Sequence, residues 1–304
     1  MYQYYPKQCH GEFIEPTYYL ISQAWNFKYF RDYLDSFANK LKLVYVGLID
    51  INEYDYIDDP THVYIFCQSI TKELLEKKFN KILLNTEQLS IPKYFDIIKN
   101  YLKHLTIIDY SIENIALIND PKVIHIPYQY KETEIAVLKK YYQEIPKQYD
   151  VAYCGTMSPR RRLILDQLKS NGVVVMEICQ SKWGQERDML IASCKMLINI
   201  HHSDNFNVYE SFRCDRWAFA QMPVVSEDSI HDDFLDMKYY SVIKFCPYDK
   251  IVDTTLQFLS NVNYPTEEII ETIHTIRYQQ LDTAVKQLNS LWNPPHHDDK
   301  LLRV

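Results

Sequence analysis

The chain has 304 residues, 47% hydrophobic and 24% charged, which are globular proportions that exclude fibrous and disordered classes and allow one large domain or two ordinary ones. Its 5 glycines, Gly11, Gly47, Gly155, Gly172 and Gly184, are too dispersed to write either GxGxxG or a P-loop. A net charge of −7 supplies no general attraction for nucleic acid, so no nucleic-acid partner is expected.

After a tyrosine-rich leader, short apolar runs alternate with amphipathic stretches, a rhythm that predicts parallel strands joined by crossover helices. The first strands are expected at 42–49, 62–68, 81–85, 105–109 and 123–126, with helices near 71–78, 91–103 and 111–118. Residues 131–148, charged and interrupted by Pro146, read as a linker. A second strand series follows at 150–154, 173–178, 195–200, 223–227 and 241–245, with helices near 159–171, 184–193, 208–220 and 250–260. The segment 266–292 opens with Thr266 and two acids, then carries apolar residues at helical spacing. The expected fold class is therefore α/β, with two Rossmann-like doubly wound domains facing a cleft. The divisions are 1–130, the linker, 149–265, a helix at 266–292 and a tail at 293–304. Seven cysteines without a CxxC suit a reducing compartment. No run is long and apolar enough for a signal peptide or a membrane span, so a cytoplasmic protein without a span is expected.

Two segments could carry chemistry. In YDVAYCGTMSPRRRLILDQL (149–168) a strand ends at Gly155-Thr156 and a helix starts with Ser158 as cap and Pro159 as first residue. Free N–H groups at such a helix start attract an anion, and Arg160, Arg161 and Arg162 would supply charge for a diphosphate; a solvated basic first turn is the alternative. In the stretch 195–228, a buried strand empties into a loop containing His201, His202 and Asn205. Glu210 and Arg213 then share a helix face, where the acid could accept bonds from a ribose diol or simply form a surface ion pair. Ser226 and Glu227 close the next strand at the same rim.

The order strand, GT, RR, helix, then NIHH…N…YESFR, then PVVSE resembles the donor-binding half of GT-B glycosyltransferases, especially compact ones of bacteria and large DNA viruses. KILLNTEQL (81–89), IDYSIEN (108–114) and VIHIPY (123–128) are similar to strand ends in that family's acceptor half. The resemblance implies a UDP- or GDP-sugar donor held mainly by the second domain, a glycan or glycoprotein acceptor held by the first, and a terminal helix crossing back. In a viral setting the compartment would be the host cytoplasm. Carried over, Gly155, Thr156 and Arg161 fall near the diphosphate, Glu210 at the ribose, Arg213 beside it, and Glu227 closes the motif. The chain departs from the family in AQMPVV, which lacks a glycine, and in Arg216, which stands where a second acid would align.

No DxD pair occurs, which agrees with donor binding that needs neither metal nor cofactor. His231-Asp232-Asp233 and His296-His297-Asp298-Asp299 lack the helical spacing of a zinc site, whereas His201 and His202 end a strand at the donor rim. Candidates for a general base are Asp50, Glu87, Asp109, Glu113 and His201, with Tyr110 and Asn114 as cleft supports. A binding protein that keeps the architecture without turnover, or a nucleotide-sugar epimerase or hydrolase, fits the same residues.

Overall fold

The computed structural model describes residues 16–23, 27–178, 181–229, 242–261 and 264–292. The expected clusters at 231–233 and 296–299 and the tail lie outside them. The first sheet contains β1 (Thr17–Gln23), β2 (Val44–Leu48), β3 (His62–Cys67), β4 (Asn80–Asn85), β5 (Thr106–Asp109) and β6 (Val123–His125). All pairs are parallel, in the order β2-β1-β3-β4-β5-β6. The connections include α1 (Phe27–Leu41), α2 (Lys72–Glu76), α3 (Pro92–Tyr101) and α4 (Ile112–Ile118). The apolar runs of β3 and β4 are buried along nearly their whole length, as central strands covered on both faces must be.

One central strand is absent from the expected set. β1 lies inside the tyrosine-rich leader, yet it pairs with both β2 and β3 and buries Tyr18, Leu20 and Ile21. Aromatic and β-branched side chains form strands readily, so TYYLISQ carried a legible signal.

The expected linker is α5 (Glu132–Glu144), which packs on the second unit through buried Ile135, Leu138 and Tyr142 and ends before Pro146. The second sheet follows with β7 (Tyr149–Cys154), β8 (Val175–Ile178), β9 (Cys194–Asn199), β10 (Val224–Glu227) and β11 (Ile243–Cys246). Its parallel order is β11-β10-β9-β7-β8. The associated helices are α6 (Pro159–Ser170), α7 (Gly184–Ala192), α8 (Ser211–Phe219) and α9 (Ile251–Ser260). The architecture is thus two doubly wound α/β units, each with a point at which strand order reverses: between β1 and β3, and between β7 and β9.

The last helix, α10 (Glu267–Trp292), packs against β6 and α1 of the first unit. Tyr18 donates to Asn289 at 2.8 Å, and Lys40 pairs with Asp282 at 3.1 Å. One continuous apolar cluster runs from Leu20 and Ile65 in the first sheet through Trp217 and Phe219 to Leu197 and Val224 in the second. The two units therefore share a core face and do not simply hang from a tether.

Candidate functional site

The carboxyl ends of both sheets converge on a cavity of about 500 Å³. The second sheet contributes Gly155, Thr156, Arg161, His202, Glu210 and Arg213, and the loops after β4 and β5 contribute Thr86, Glu87, Gln88 and Tyr110. Tyr29, Phe30, Trp183, Phe206, Phe212 and Trp217 add aromatic surface, and Arg187 and Arg216 extend the basic wall. A crevice beyond the carboxyl ends of parallel strands, at the reversal between β7 and β9, is where open α/β sheets bind ligands.

The loop after β7 is held in one shape. Gly155 has φ +150°, a region L side chains rarely adopt, and a Cβ there would sit 3.0 Å from the Arg213 guanidinium. The Thr156 carbonyl accepts from Tyr153 Oη at 2.8 Å and from Arg161 Nη1 at 2.7 Å. Ser158 caps α6 by accepting from the Arg161 N–H at 3.3 Å, and Pro159 follows at the first helical position.

The three consecutive arginines do not act together, which corrects the expectation of a triple charge. Arg160 turns to Glu227, with Nη1 2.6 Å from Oε2, and to Asp204 at 2.8 Å, while its guanidinium lies 3.5 Å from the Tyr248 ring centroid. Arg162 reaches outward to Glu177 at 2.8 Å. Arg161 alone lines the cavity; it is buried, donates to the Ile200 carbonyl at 2.7 Å, and approaches Glu210 at 3.5 Å. Burial, reinforced by Arg213, pulls its guanidinium below the usual range although Glu210 opposes this.

Glu210 stands at the start of α8 but does not cap it. It accepts from Arg213 Nη1 at 2.7 Å and Nη2 at 3.2 Å, and Arg213 also donates to Asn199 at 2.8 Å. Burial raises the Glu210 carboxyl, but Arg213 and Arg161 outweigh it and leave the group below the ordinary glutamate range. Glu210 and Arg213 thus form a pair, but in the cavity wall and not on the open surface.

Several expected contacts lie behind the cavity. His201 is buried, its Nε2 2.9 Å from the Asp228 carbonyl and its N–H donating to Glu227 at 2.9 Å; its neighbour His202 is the one in the wall. Glu227 is occupied by Arg160 and His201, so it supports the loop that positions Arg161. Ser226 is also buried, accepting from Asn199 Nδ2 at 3.0 Å. Asn205 contributes its main chain, whose carbonyl accepts from Ser90 Oγ at 2.7 Å.

Among the base candidates, Glu87 lines the cavity and accepts from Gln68 Nε2 at 3.0 Å; burial raises its carboxyl. Asp109 instead is fully buried, binding Asn85 Nδ2 at 2.7 Å, the Ser111 N–H at 2.8 Å and Asn114 Nδ2 at 3.1 Å. Burial pushes it up to about 7 against those bonds. Asp109 and Asn114 shape the loop carrying Glu87, because Asn114 Nδ2 also donates to the Glu87 carbonyl at 2.9 Å. Glu113 is buried with its carboxylate on Ser111 Oγ, and Asp50 caps a 3-10 turn at residues 51–53 by accepting from Asn52.

Arg216 has a partner set that no motif announced. It binds Asp188 at 2.7 Å and Glu134 Oε1 through Nε at 2.9 Å, while neighbouring Arg187 binds Asp32 at 2.6 Å. Asp32 comes from α1, Glu134 from α5, and Arg187 and Asp188 from α7, so this buried cluster joins both units. Phe212 adds an aromatic tie, with its ring centroid 4.4 Å from Tyr33 and 4.3 Å from Tyr110. Gln88 accepts from the Val208 N–H at 3.0 Å, and Arg277 of α10 reaches Asp215 at 3.5 Å. Among the described residues no cluster of three His, Cys, Asp or Glu side chains is arranged to hold a metal, and no helix is long and apolar enough to cross a membrane.

No known family's sequence profile matches the chain. It is similar to two proteins of Acanthamoeba polyphaga mimivirus. It is 51% identical over 276 residues to "Uncharacterized protein L137", covering 90% of this chain and 38% of that protein. It is 45% identical over 289 residues to "Uncharacterized protein L138", covering 90% and 33% respectively. The chain therefore spans little more than a third of these curated relatives. A third mimivirus protein, "Uncharacterized protein R358", is 28% identical over 234 residues, 76% of this chain and 79% of that one. Among solved structures, that of TarM aligns with 78% of this chain and 56% of its own at TM-score 0.48 and 11% identity. The glycosylation-associated Gap123 complex of Streptococcus agalactiae aligns with 77% of this chain and 53% of its own, at TM-score 0.38 and 10% identity.

Proposed function

We propose that this chain forms the body of a GT-B-type glycosyltransferase that moves a sugar from a UDP- or GDP-linked donor to a glycan or protein acceptor. The observation that carries this reading is one cavity at the carboxyl ends of both parallel sheets, above the strand reversal of the second. A donor fixed by one wall and an acceptor by the other would meet there without crossing the protein.

On this reading the unit 149–265 holds the donor and the unit 1–130 holds the acceptor, with 266–292 returning to brace the first. Gly155 allows the main chain close to the diphosphate, Arg161 and Arg213 offset its charge, and Glu210 exchanges part of its Arg213 contact for the ribose hydroxyls. The arginines and the start of α6 neutralise the leaving diphosphate, so no divalent ion is required. In the transfer, the acceptor oxygen bonds to the anomeric carbon while the bond from that carbon to the diphosphate oxygen breaks and leaves with its electron pair. The hydroxyl proton passes to Glu87, which lines the cavity and whose carboxyl is raised above the ordinary glutamate range by burial. With no helix apolar enough to span a membrane among the described residues, work in the host cytoplasm fits a protein of this lineage.

A second reading, donor binding without turnover, is favoured by the engagement of Glu210 with both Arg213 and Arg161. Product analysis with labelled donors and acceptors separates the two. Sugar joined to acceptor supports transfer, free or altered sugar points to a hydrolase or epimerase, and unchanged bound donor supports the binding role.

A further inference from the structure

Five rings of the cavity lining form an unbroken row. Trp183, the residue before α7, meets Tyr29 of α1 edge to face, with ring centroids 4.9 Å apart and planes at 89°. Tyr29 lies 6.4 Å from Phe30, Phe30 lies 6.2 Å from Phe212, and Phe212 lies 4.3 Å from Tyr110. The row runs inward, since Tyr29 near its outer end is 38% exposed and Tyr110 at its inner end only 4%. Strand order fixes where each end stands. Trp183 follows β8, which flanks β7 on one side, whereas Glu210 follows β9, which flanks β7 on the other, and Gly155 at the end of β7 lies between them. Tyr110 follows β5, beside the β4 whose loop carries Glu87.

We infer that this row is the acceptor track, an inference that rests on the transferase reading above, and that the acceptor is a carbohydrate chain whose pyranose rings stack along it. With the ribose on Glu210 the nucleoside lies towards β9, so the donor's sugar and the incoming acceptor take the side towards β8, where Trp183 and Tyr29 stand. A chain lying along the row then brings its terminal hydroxyl to the side of the cavity that holds Glu87. The class of acceptor follows from the mixture of groups on these walls. A pyranose presents a face of C–H groups, which packs on the electron-rich face of an aromatic ring, and a rim of hydroxyls, which needs polar partners. The rings share the cavity with Thr86, Glu87, Gln88 and Arg187, whose guanidinium lies 5.9 Å from the Trp183 ring centroid. A hydrocarbon tail would strip water from Glu87 and Arg187 without offering them a hydrogen bond. An extended peptide held by its main chain takes a sheet edge, and this cavity opens beyond strand ends.

Saturation-transfer NMR on the full chain, with and without UDP or GDP, tests this, and circular dichroism confirms that each variant is folded. The probes are methyl glycosides and linear trisaccharides of glucose, galactose, mannose and N-acetylglucosamine, a peptide containing serine and threonine, and octyl glucoside. At least one trisaccharide should receive saturation, mainly at the C–H protons of one ring face, and should bind more tightly than its methyl glycoside, whereas the peptide should receive none. Trp183→Ala and Tyr29→Ala should each weaken that saccharide by roughly 3- to 10-fold. Trp183→Phe should retain most of the affinity, and all three variants should bind nucleoside diphosphate as the unaltered chain does. No binding by any saccharide, saccharide affinity indifferent to both alanine variants, or saturation confined to the peptide or the octyl chain would each overturn the proposal. So would loss of nucleoside diphosphate in either alanine variant, the result expected of rings that stack a base. Saccharide binding that depends on Trp183 while no nucleoside diphosphate binds would support the rings as a carbohydrate site and remove the transferase reading instead.

Discussion

Arg161→Ala is the most informative single substitution, because this side chain combines a structural and a binding contribution that separate experimentally. Its guanidinium donates to the Thr156 and Ile200 carbonyls and approaches Glu210, all from a buried position. Truncation leaves the buried Ile200 carbonyl short of a donor, while the Thr156 carbonyl keeps Tyr153 Oη, and a charged hydrogen bond is worth about 1.5–3 kcal/mol. Without ligand, urea denaturation should therefore show a loss of about 1.5–3 kcal/mol. Binding adds a second effect. Arg161 sits where burial and Arg213 both disfavour its charge, a local excess of positive potential that a diphosphate would relieve. Loss of one charge-assisted contact should weaken a nucleoside diphosphate by about 1.5–3 kcal/mol, which is roughly 10- to 150-fold in Kd, and leave the bare nucleoside nearly unaffected. Calorimetric titration of both ligands into the folded variant measures the difference. Equal affinities for the diphosphate before and after substitution would refute the assignment of Arg161 to the anion site.

Gly155→Ala should destabilise the chain by about 1–3 kcal/mol and weaken the diphosphate, because it combines strained φ with a Cβ pressed against Arg213. Gly172→Ala, at φ +81° with nothing within 4 Å, should show the strain but leave binding alone when the two are compared by denaturation and calorimetry. For Asp109, a folded-state value of about 7 lies above the unfolded one, so its contribution to stability falls as pH rises from about 4 to about 7. The melting temperature of Asp109→Asn relative to the unaltered chain should therefore rise across that interval and level off above it; a pH-independent difference would count against the buried proton. Phe212→Ala removes the ring between Tyr33 and Tyr110 and should cost about 3 kcal/mol in chemical denaturation, with a matching loss of the junction between the units. Chelation with EDTA should leave donor affinity unchanged; loss of binding restored by Mg²⁺ or Mn²⁺ would contradict neutralisation by arginine.

Most of the fold was legible because parallel strands are apolar along their length and sit between amphipathic helices. The runs that became β3, β4, β7 and β9 stand out from their polar flanks. β1 was hidden because its tyrosines read as a biased leader, although Tyr18, Leu20 and Ile21 are among its buried residues. The site was legible where local chemistry fixed local structure. Gly155, Ser158 and Pro159 define a strand-to-helix turn, and the three-residue spacing of Glu210 and Arg213 gives a real ion pair.

Direction was harder to read, since adjacent residues at a helix start point to different sides of it. Arg160, Arg161 and Arg162 separate for this reason, and His201 and His202 separate because successive residues leaving a strand point to opposite faces. The contributions of Trp183, Arg187, Tyr29 and Phe30 were missed because the fold, and no local motif, brings α1 and α7 to the same cavity. Arg216 carried a partial signal: it lies three residues after Arg213 and one turn beyond Phe212, the spacing of a single helix face. Its acids, Asp188, Glu134 and, at 3.4 Å, Asp32, come from three other helices and could not be paired from sequence.

The central claim, that the cavity binds a nucleoside diphosphate sugar for transfer, is tested most directly by calorimetric titration of the unaltered chain with UDP-, GDP-, TDP- and CMP-linked sugars. The account predicts one-to-one binding of a UDP- or GDP-sugar, displaced by the matching nucleoside diphosphate and abolished or greatly weakened by Arg161→Ala. CMP-sugars, with a single phosphate, should bind far more weakly. Absence of heat with every donor, or binding that Arg161→Ala and added nucleoside diphosphate leave untouched, would contradict it.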